Sequence, residues 1–129
     1  MVRRRRESRL MNKFKEEWSR RFPNTFLYKI ASTRFAALPF DLIGCVNGKF
    51  VAIELKTGGR IVEPHQFWNL SKVAESGGFA FFLREGFSSA ARPYSMVRIL
   101  GPADNPNIEK RTLAECFDYI VEVLEEKHV

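Results

Sequence analysis

Runs of apolar residues divide the chain into helical and extended segments. The first pattern is a set of apolar residues at helical spacing: Leu10, Met11, Phe14, Trp18 and Phe22. It predicts an amphipathic helix over about residues 5–22, with this stripe facing the core. Pro23-Asn24 breaks the helix, and residues 25–31 are typical of a strand.

A β-hairpin is the strongest local prediction. Two apolar runs, 42–46 and 50–55, flank the pair Asn47-Gly48. Asn-Gly favours a two-residue hairpin loop, because both turn residues need a positive φ. Such a loop pairs Val46 with Lys49, and each further pair lies one residue further out on both strands. Asp41 is therefore expected directly opposite Glu54.

The alternation of the second hairpin strand places two carboxylates on one face. Its side chains divide into two sets: Phe50, Ala52, Glu54 and Lys56 on one face, and Val51, Ile53 and Leu55 on the other. Directly opposed like charges are destabilising, so a facing Asp41 and Glu54 need a reason. Two carboxylates at one sheet end would suit Mg²⁺ or Mn²⁺, which prefer oxygen ligands. Pro39, opposite Lys56, lacks an N–H and would end the strand pairing at that point. The alternative is a surface salt-bridge cluster with Lys56, which would contribute little stability.

The rest of the chain predicts four further elements. They are a helix from Pro64 to about residue 76, a buried strand over 79–83, an edge strand over 94–100 and, after a turn over 101–107, a helix over 109–127. Gly77-Gly78 ends the first of these helices. A helix followed by a buried strand favours a parallel crossover onto the hairpin.

Composition restricts the class of protein. A chain of 129 residues with 45% hydrophobic and 28% charged residues is expected to form one soluble domain. No apolar run approaches the roughly 18 residues of a membrane span, and the arginine-rich start is no secretory signal. Cys45 and Cys116 are read as buried, reduced thiols of an intracellular, cytoplasmic protein. The net charge of +6 favours an anionic partner, with nucleic acid first.

The motif Pro39-Phe40-Asp41 followed by Glu54-Leu55-Lys56 resembles the PD-(D/E)XK nuclease superfamily, especially its resolvase-like and virus-type replication-repair nuclease branches. The usual adjacent Pro-Asp is here spread by one residue. The likeness covers about residues 7–86. It implies an α/β fold with a restriction-endonuclease-like αβββαβ core, a mixed sheet flanked by helices and an extra C-terminal strand and helix. The single domain would comprise a basic arm (1–6), the core (7–86) and a C-terminal extension (87–129).

A first-helix glutamate also belongs to the family's site. On a helical wheel, Glu7 lies in line with the apolar face, whereas Glu16 points to solvent. The family's apolar positions after its glutamate correspond here to Leu10, Phe14 and Trp18, which agrees. Glu17 is the competing choice. The family's glutamine at the start of the next helix corresponds to Gln66.

The resemblance implies metal-dependent hydrolysis of DNA, selective for structures such as Holliday junctions, flaps or branches. Asp41, Glu54, the Leu55 carbonyl and Glu7 would hold one or two Mg²⁺ or Mn²⁺ ions, while Lys56 and Gln66 assist catalysis. Six basic residues are candidate phosphate contacts: Arg3, Arg4, Arg5, Arg6, Arg34 and Arg60. The symmetry of a four-way junction would suit a homodimer, and a phage or mobile-element origin would fit. The alternative is a catalytically inactive nucleic-acid-binding module on the same fold.

Overall fold

The computed structural model describes residues 2–31, 38–58, 60–86, 94–101, 105–110 and 112–126, with side chains from residue 6 onward. In chain order its elements are α1 (Val2–Arg21), β1 (Phe26–Lys29), β2 (Leu42–Val46), β3 (Lys49–Thr57), α2 (Pro64–Glu75), β4 (Phe79–Glu85), β5 (Tyr94–Ile99), β6 (Asn107–Lys110) and α3 (Leu113–Glu125). The order αβββαβ over the first six elements is as predicted. None of the described helices is long and apolar enough to cross a membrane.

The strands form one mixed sheet in the order β1-β2-β3-β4-β5-β6. The neighbours β3 and β4 are parallel, which confirms the predicted crossover through α2, and the other neighbouring pairs are antiparallel. On one face α1 and α3 pack together over the larger core cluster, and α2 covers part of the other face. The fold is therefore a central sheet between two helical layers.

The hairpin has the predicted register. Val46 pairs with Lys49, and Leu42 pairs with Ile53. The turn residues Asn47 and Gly48 have φ values of 51° and 80°, as a two-residue loop of this kind requires. One residue beyond the last pair, Asp41 lies opposite Glu54. The hairpin therefore delivers both carboxylates to one end of the sheet.

Close packing fixes α1 against β2. A Cβ atom at Gly44 would lie 2.8 Å from the indole ring of Trp18, so glycine lets the helix approach. The Trp18 Nε1–H donates to Thr25 Oγ1 at 2.9 Å. These contacts hold the helix that carries Glu7 at a fixed distance from the hairpin.

The C-terminal region differs from the prediction. The expected edge strand, β5, is flanked by β6, which lies where a turn and the start of a helix were predicted. The helix α3 begins at Leu113, not at residue 109. Thr112 and Glu115 form a capping box at its start, a pattern visible in the sequence as Thr-x-x-Glu. The Glu115 N–H donates to Thr112 Oγ1 at 3.1 Å, and the Thr112 N–H donates to Glu115 Oε1 at 3.0 Å. Residues 86–93, whose Ser, Ala and Gly content predicts a loop, fall mostly outside the described residues.

The two cysteines have different environments. Cys116 lies in the core, where burial raises the pKa of its thiol to about 12. Cys45 is exposed, so the prediction that both thiols are buried is wrong for this residue. Its alternation places it on the α2 side of the sheet, and α2 packs against β3, β4 and β5 instead of β2.

Candidate active site

A cleft of about 720 Å³ opens at the end of β3 where Asp41 and Glu54 meet. Its walls are formed by the first half of α1, the end of β1 and the residues after it, the C-terminal end of β3 and the first turn of α2. Helices from both faces of the sheet thus converge on one sheet end. Most of the candidate residues predicted from the sequence line this cleft.

The Asp41 side chain is held by the backbone of β3. The Asp41 N–H donates to the Ile53 carbonyl at 3.1 Å, and the Leu55 N–H donates to Asp41 Oδ2 at 2.8 Å. The carboxylate therefore takes the place of a backbone acceptor at the point where the β2–β3 ladder ends. This contact fixes the orientation of the carboxylate toward the cleft.

Glu54 is almost completely buried, with 1% of its surface exposed. Its Oε2 lies 3.1 Å from Lys56 Nζ, and Lys56 is itself only 4% exposed. The Oε1 atom is buried and accepts no hydrogen bond from the described residues. Burial, followed by the adjacent Asp41 carboxylate, raises the pKa of Glu54 to about 8, although Lys56 acts in the opposite direction. Without a cation, this environment favours the protonated form of Glu54.

These residues fit a hard divalent cation. Two carboxylates in contact and a buried carboxylate oxygen without a partner present the charge and the oxygen atoms that Mg²⁺ or Mn²⁺ requires. The Leu55 carbonyl points to the same side as its N–H, which faces Asp41, because both groups of a strand residue point the same way. Its role as a further oxygen ligand stays a prediction.

Glu7 lies at the cleft without joining the two carboxylates in a three-ligand group. In the described part of the chain, no three His, Cys, Asp or Glu side chains are close enough together to hold an ion. Glu7 lines the cleft and forms an ion pair with Arg60. The expected direct convergence with Asp41 and Glu54 is thus absent, because the arginine holds the glutamate at the rim.

The competing glutamate, Glu17, lies elsewhere. It is buried and bonded to Arg20 at 2.6 Å and to Arg21 at 2.9 Å. The second of these arginines also binds Asp118 on α3, so the group joins the two helices. Of the two glutamates, only Glu7 borders the cleft.

Gln66 lies in the first turn of α2, as predicted, and borders the cleft. It is buried, and its Oε1 accepts a hydrogen bond from the Glu63 N–H at 3.1 Å. This contact ties the side chain to the start of the helix. The amide group is therefore held in position beside the carboxylates, where its catalytic role stays a prediction.

The basic candidates are only partly described. Arg60 borders the cleft with 29% of its side chain exposed, and Arg6 lies half-buried on α1. The side chains of Arg3, Arg4 and Arg5, and the whole of Arg34, lie outside the described residues. The backbone of residues 2–6 continues α1, so the predicted basic arm is the first part of that helix.

Three polar residues of the cleft were not singled out from the sequence: Ser8, Lys29 and Thr57. Thr57 continues β3 beyond the predicted strand. Because its side chain is polar, the apolar pattern that predicts the strand does not extend to it. Lys29 borders the cleft because Ile30, the next residue, donates its N–H to the Asp41 carbonyl at 2.9 Å. That pairing between β1 and β2 spans a long connection, so no local signal predicts it.

The chain matches no protein-family model and no curated protein. Among solved structures it is similar to Hjc, a Holliday junction resolvase from the archaeal hyperthermophile Archaeoglobus fulgidus. The sequences are 15% identical, the TM-score is 0.47, and the match covers 76% of this chain and 87% of that chain.

Proposed function

We propose that this protein is a divalent-metal-dependent nuclease that hydrolyses phosphodiester bonds in DNA. The observation that carries the proposal is the Asp41–Glu54 pair, in which Glu54 is buried. One oxygen of the Glu54 carboxylate has no hydrogen-bond partner among the described residues, and Lys56 approaches the other. The resemblance of the surrounding motif to the PD-(D/E)XK superfamily supports the same chemistry. Mg²⁺ or Mn²⁺ would be held by Asp41, Glu54 and the Leu55 carbonyl.

When bound, the cation would supply a water of lowered pKa and a positive charge beside the scissile phosphate. Lys56 has the complementary task. Its buried ammonium group, held by Glu54 Oε2, would stabilise the extra negative charge that develops on the phosphate in the transition state. The Gln66 amide would orient the attacking water or the DNA backbone.

Glu7 and Arg60 would act at the rim of the cleft. A DNA phosphate can compete with Glu7 for the Arg60 guanidinium, because arginine binds both groups through the same planar set of donors. Released from the arginine, Glu7 would complete the carboxylate set around the cation. In this proposal Glu7 contributes after the substrate has arrived.

A role in stability alone does not account for this arrangement. Burying Glu54 beside a second carboxylate disfavours its charged form, and strongly perturbed carboxyl groups in clefts are typical of functional sites. An inactive nucleic-acid-binding module on the same fold would have no use for that pair. Nuclease assays on variants of Asp41 and Glu54 therefore test whether the protein is instead an inactive nucleic-acid-binding module.

The proposed substrate is DNA, bound inside the cell and selected by structure. The net charge of +6 and the basic residues at the cleft favour an anionic polymer. The resemblance of the motif to resolvase-like nucleases favours selection by structure. Holliday junctions, flaps and branched DNA are the proposed targets, and a homodimer would match the symmetry of a four-way junction.

A cleavage assay tests the function directly. End-labelled single strand, duplex, flap and four-way junction are incubated with Mg²⁺, Mn²⁺ or EDTA. We expect cleavage of at least one branched form, loss of activity in EDTA, and loss of activity in Asp41→Asn with DNA binding retained. Glu16→Gln, at an exposed position of α1, serves as a matched control that should cut like the wild type. If no DNA form is cut under any condition, the nuclease proposal fails.

A further inference from the structure

Three aromatic side chains are exposed at one corner of the sheet. Phe26 and Tyr28 on β1 are 55% and 53% exposed, and Phe50 on β3 is 43% exposed. The exposed Cys45 of β2 lies between Phe26 and Phe50, because the strand register pairs it with both. We call Phe26, Tyr28, Cys45 and Phe50 the aromatic corner. Alternation along the three strands places it on the same sheet face as Glu54.

The aromatic corner is continuous with the cleft. Side chains two residues apart on a strand share a face, so Phe26, Tyr28 and Ile30 form a row along β1 and its continuation. Ile30 lines the cleft and donates its N–H to the Asp41 carbonyl at 2.9 Å. A ligand lying along this row therefore reaches the two carboxylates without leaving the face.

The geometry of the rings suits flat ligands. The planes of Phe26 and Tyr28 are parallel to within 2°, with their centroids 6.2 Å apart. Exposed aromatic rings stack nucleobases with little regard to sequence, because every base has a π face. Bases within a duplex are stacked on one another and cannot contact these rings. The bases of a single strand are free to stack on them.

The charges along the row also suit a nucleic-acid strand. Among the described residues of β1, β2 and β3, the carboxylates on this face are Asp41 and Glu54, both within the cleft. The exposed Lys29 lies on the opposite face of β1 from Tyr28, and it borders the cleft at the sheet end. An anionic backbone would therefore meet no carboxylate from the described residues of these three strands before it reaches Asp41 and Glu54.

We propose that the aromatic corner stacks the unpaired bases of a DNA strand whose backbone continues into the cleft. The inference rests on the proposed nuclease function and narrows its substrate. The preferred DNA carries a single-stranded segment beside the scissile phosphate, as in a flap, a tail or an opened branch. A second copy of the chain is the competing occupant, because apolar surface on an edge strand also serves self-association.

The test measures DNA binding in EDTA, where cleavage does not occur. Fluorescence anisotropy compares a blunt duplex with the same duplex carrying a single-stranded tail. Tyr28→Ala should weaken binding of the tailed DNA roughly tenfold, and adding Phe26→Ala should weaken it by a similar factor again. Binding of the blunt duplex should stay nearly unchanged.

Two further substitutions separate stacking from general apolar contact. Tyr28→Phe keeps the ring and should bind tailed DNA like the wild type. Tyr28→Leu keeps the apolar bulk but should bind it as weakly as Tyr28→Ala. Trp68→Ala is the matched control, because it removes another exposed aromatic ring, 59% exposed on the outer side of α2, and should leave the preference for the tail unchanged.

Several outcomes would overturn the assignment. These are equal losses on both DNAs, full binding by Tyr28→Leu, or the same loss from Trp68→Ala. Sedimentation provides the test of the competing occupant. A wild-type dimer that Tyr28→Ala converts to monomers would make the aromatic corner a contact between copies of the chain.

The cleavage assay distinguishes failure of this inference from failure of the nuclease proposal. If the wild type prefers tailed DNA through Tyr28 yet cuts no DNA form with Mg²⁺ or Mn²⁺, the nuclease function fails and the aromatic corner remains a DNA-binding surface. If DNA is cut but neither the tail nor the rings affect binding, the inference fails and the nuclease function remains.

Discussion

Replacing Glu54 with glutamine should stabilise the metal-free protein at neutral and alkaline pH. Glutamine keeps the length and shape of the side chain, and its amide oxygen can still accept from the Lys56 ammonium group. Unlike the carboxyl group, the amide does not ionise, so it carries no cost for a buried negative charge beside Asp41. The substitution therefore removes the pH-dependent penalty that burial imposes on Glu54.

The size of the effect follows from the pKa values of the folded and unfolded states. The pKa of Glu54 rises from 4.5 to about 8 on folding. Between these values the folded protein keeps a proton that the unfolded chain has released, so stability falls by about 1.4 kcal/mol per pH unit. The loss begins near the lower value, accumulates as pH rises and levels off above the higher one. Between pH 5 and pH 7.5 it amounts to about 3 kcal/mol.

Urea denaturation in EDTA, repeated between pH 5 and pH 8.5, measures this loss. With a denaturant slope of about 2 kcal/mol per molar urea, the wild-type midpoint should fall by about 1.5 M between pH 5 and pH 7.5, relative to that of Glu54→Gln. Glu16→Gln should follow the wild type, because its side chain is exposed. Parallel pH profiles for wild type and Glu54→Gln would refute the reasoning, since Glu54 would then ionise in the folded state as it does in the unfolded chain.

Five other substitutions test the rest of the site and its support. Lys56→Met should abolish cleavage and extend the loss of stability to higher pH, because the ammonium group lowers the Glu54 pKa; the cleavage assay and the urea series measure the two effects. Glu7→Gln should reduce turnover strongly, while Glu17→Gln should lower the melting temperature by breaking its arginine contacts and leave turnover nearly unchanged; the reverse pattern would move the site along α1. Arg60→Ala should lower the slope of log affinity against log salt by roughly 0.9 on duplex DNA, and an unchanged slope would exclude a phosphate contact. Gly44→Ala should destabilise by about 1–3 kcal/mol in thermal unfolding, because its methyl group would collide with an indole ring; an unchanged melting temperature would mean that the helix yields.

The part of the site that the sequence predicts is the part built by local pairing. Asn47-Gly48 sets the loop, the loop sets the register, and the register sets Asp41 opposite Glu54. Alternation then places Lys56 on the same face. Each step depends on residues fewer than twenty apart in the chain, so turn chemistry and period-2 patterning are sufficient.

Features that depend on distant partners were not predictable in the same way. A helical wheel places Glu7 toward the sheet, but the ion pair with Arg60, which keeps it at the rim, joins residues more than fifty apart. Similarly, β6 is a four-residue strand whose side chains alternate between exposed and half-buried, and pairing with β5 determines its conformation. A segment that short and polar carries no periodicity that distinguishes it from a turn.

The aromatic corner shows most clearly why exposure cannot be read from one strand. Phe26, Tyr28 and Cys45 have the apolar character of core residues, and on a sheet covered evenly on both faces they would be buried. They are exposed because α2 packs over β3, β4 and β5 and leaves the β1 side of that face open. The row of side chains that begins with Phe26 and Tyr28 continues to Ile30, which lines the cleft. The packing that exposes these aromatic residues is therefore also the packing that would admit a DNA strand to the cleft.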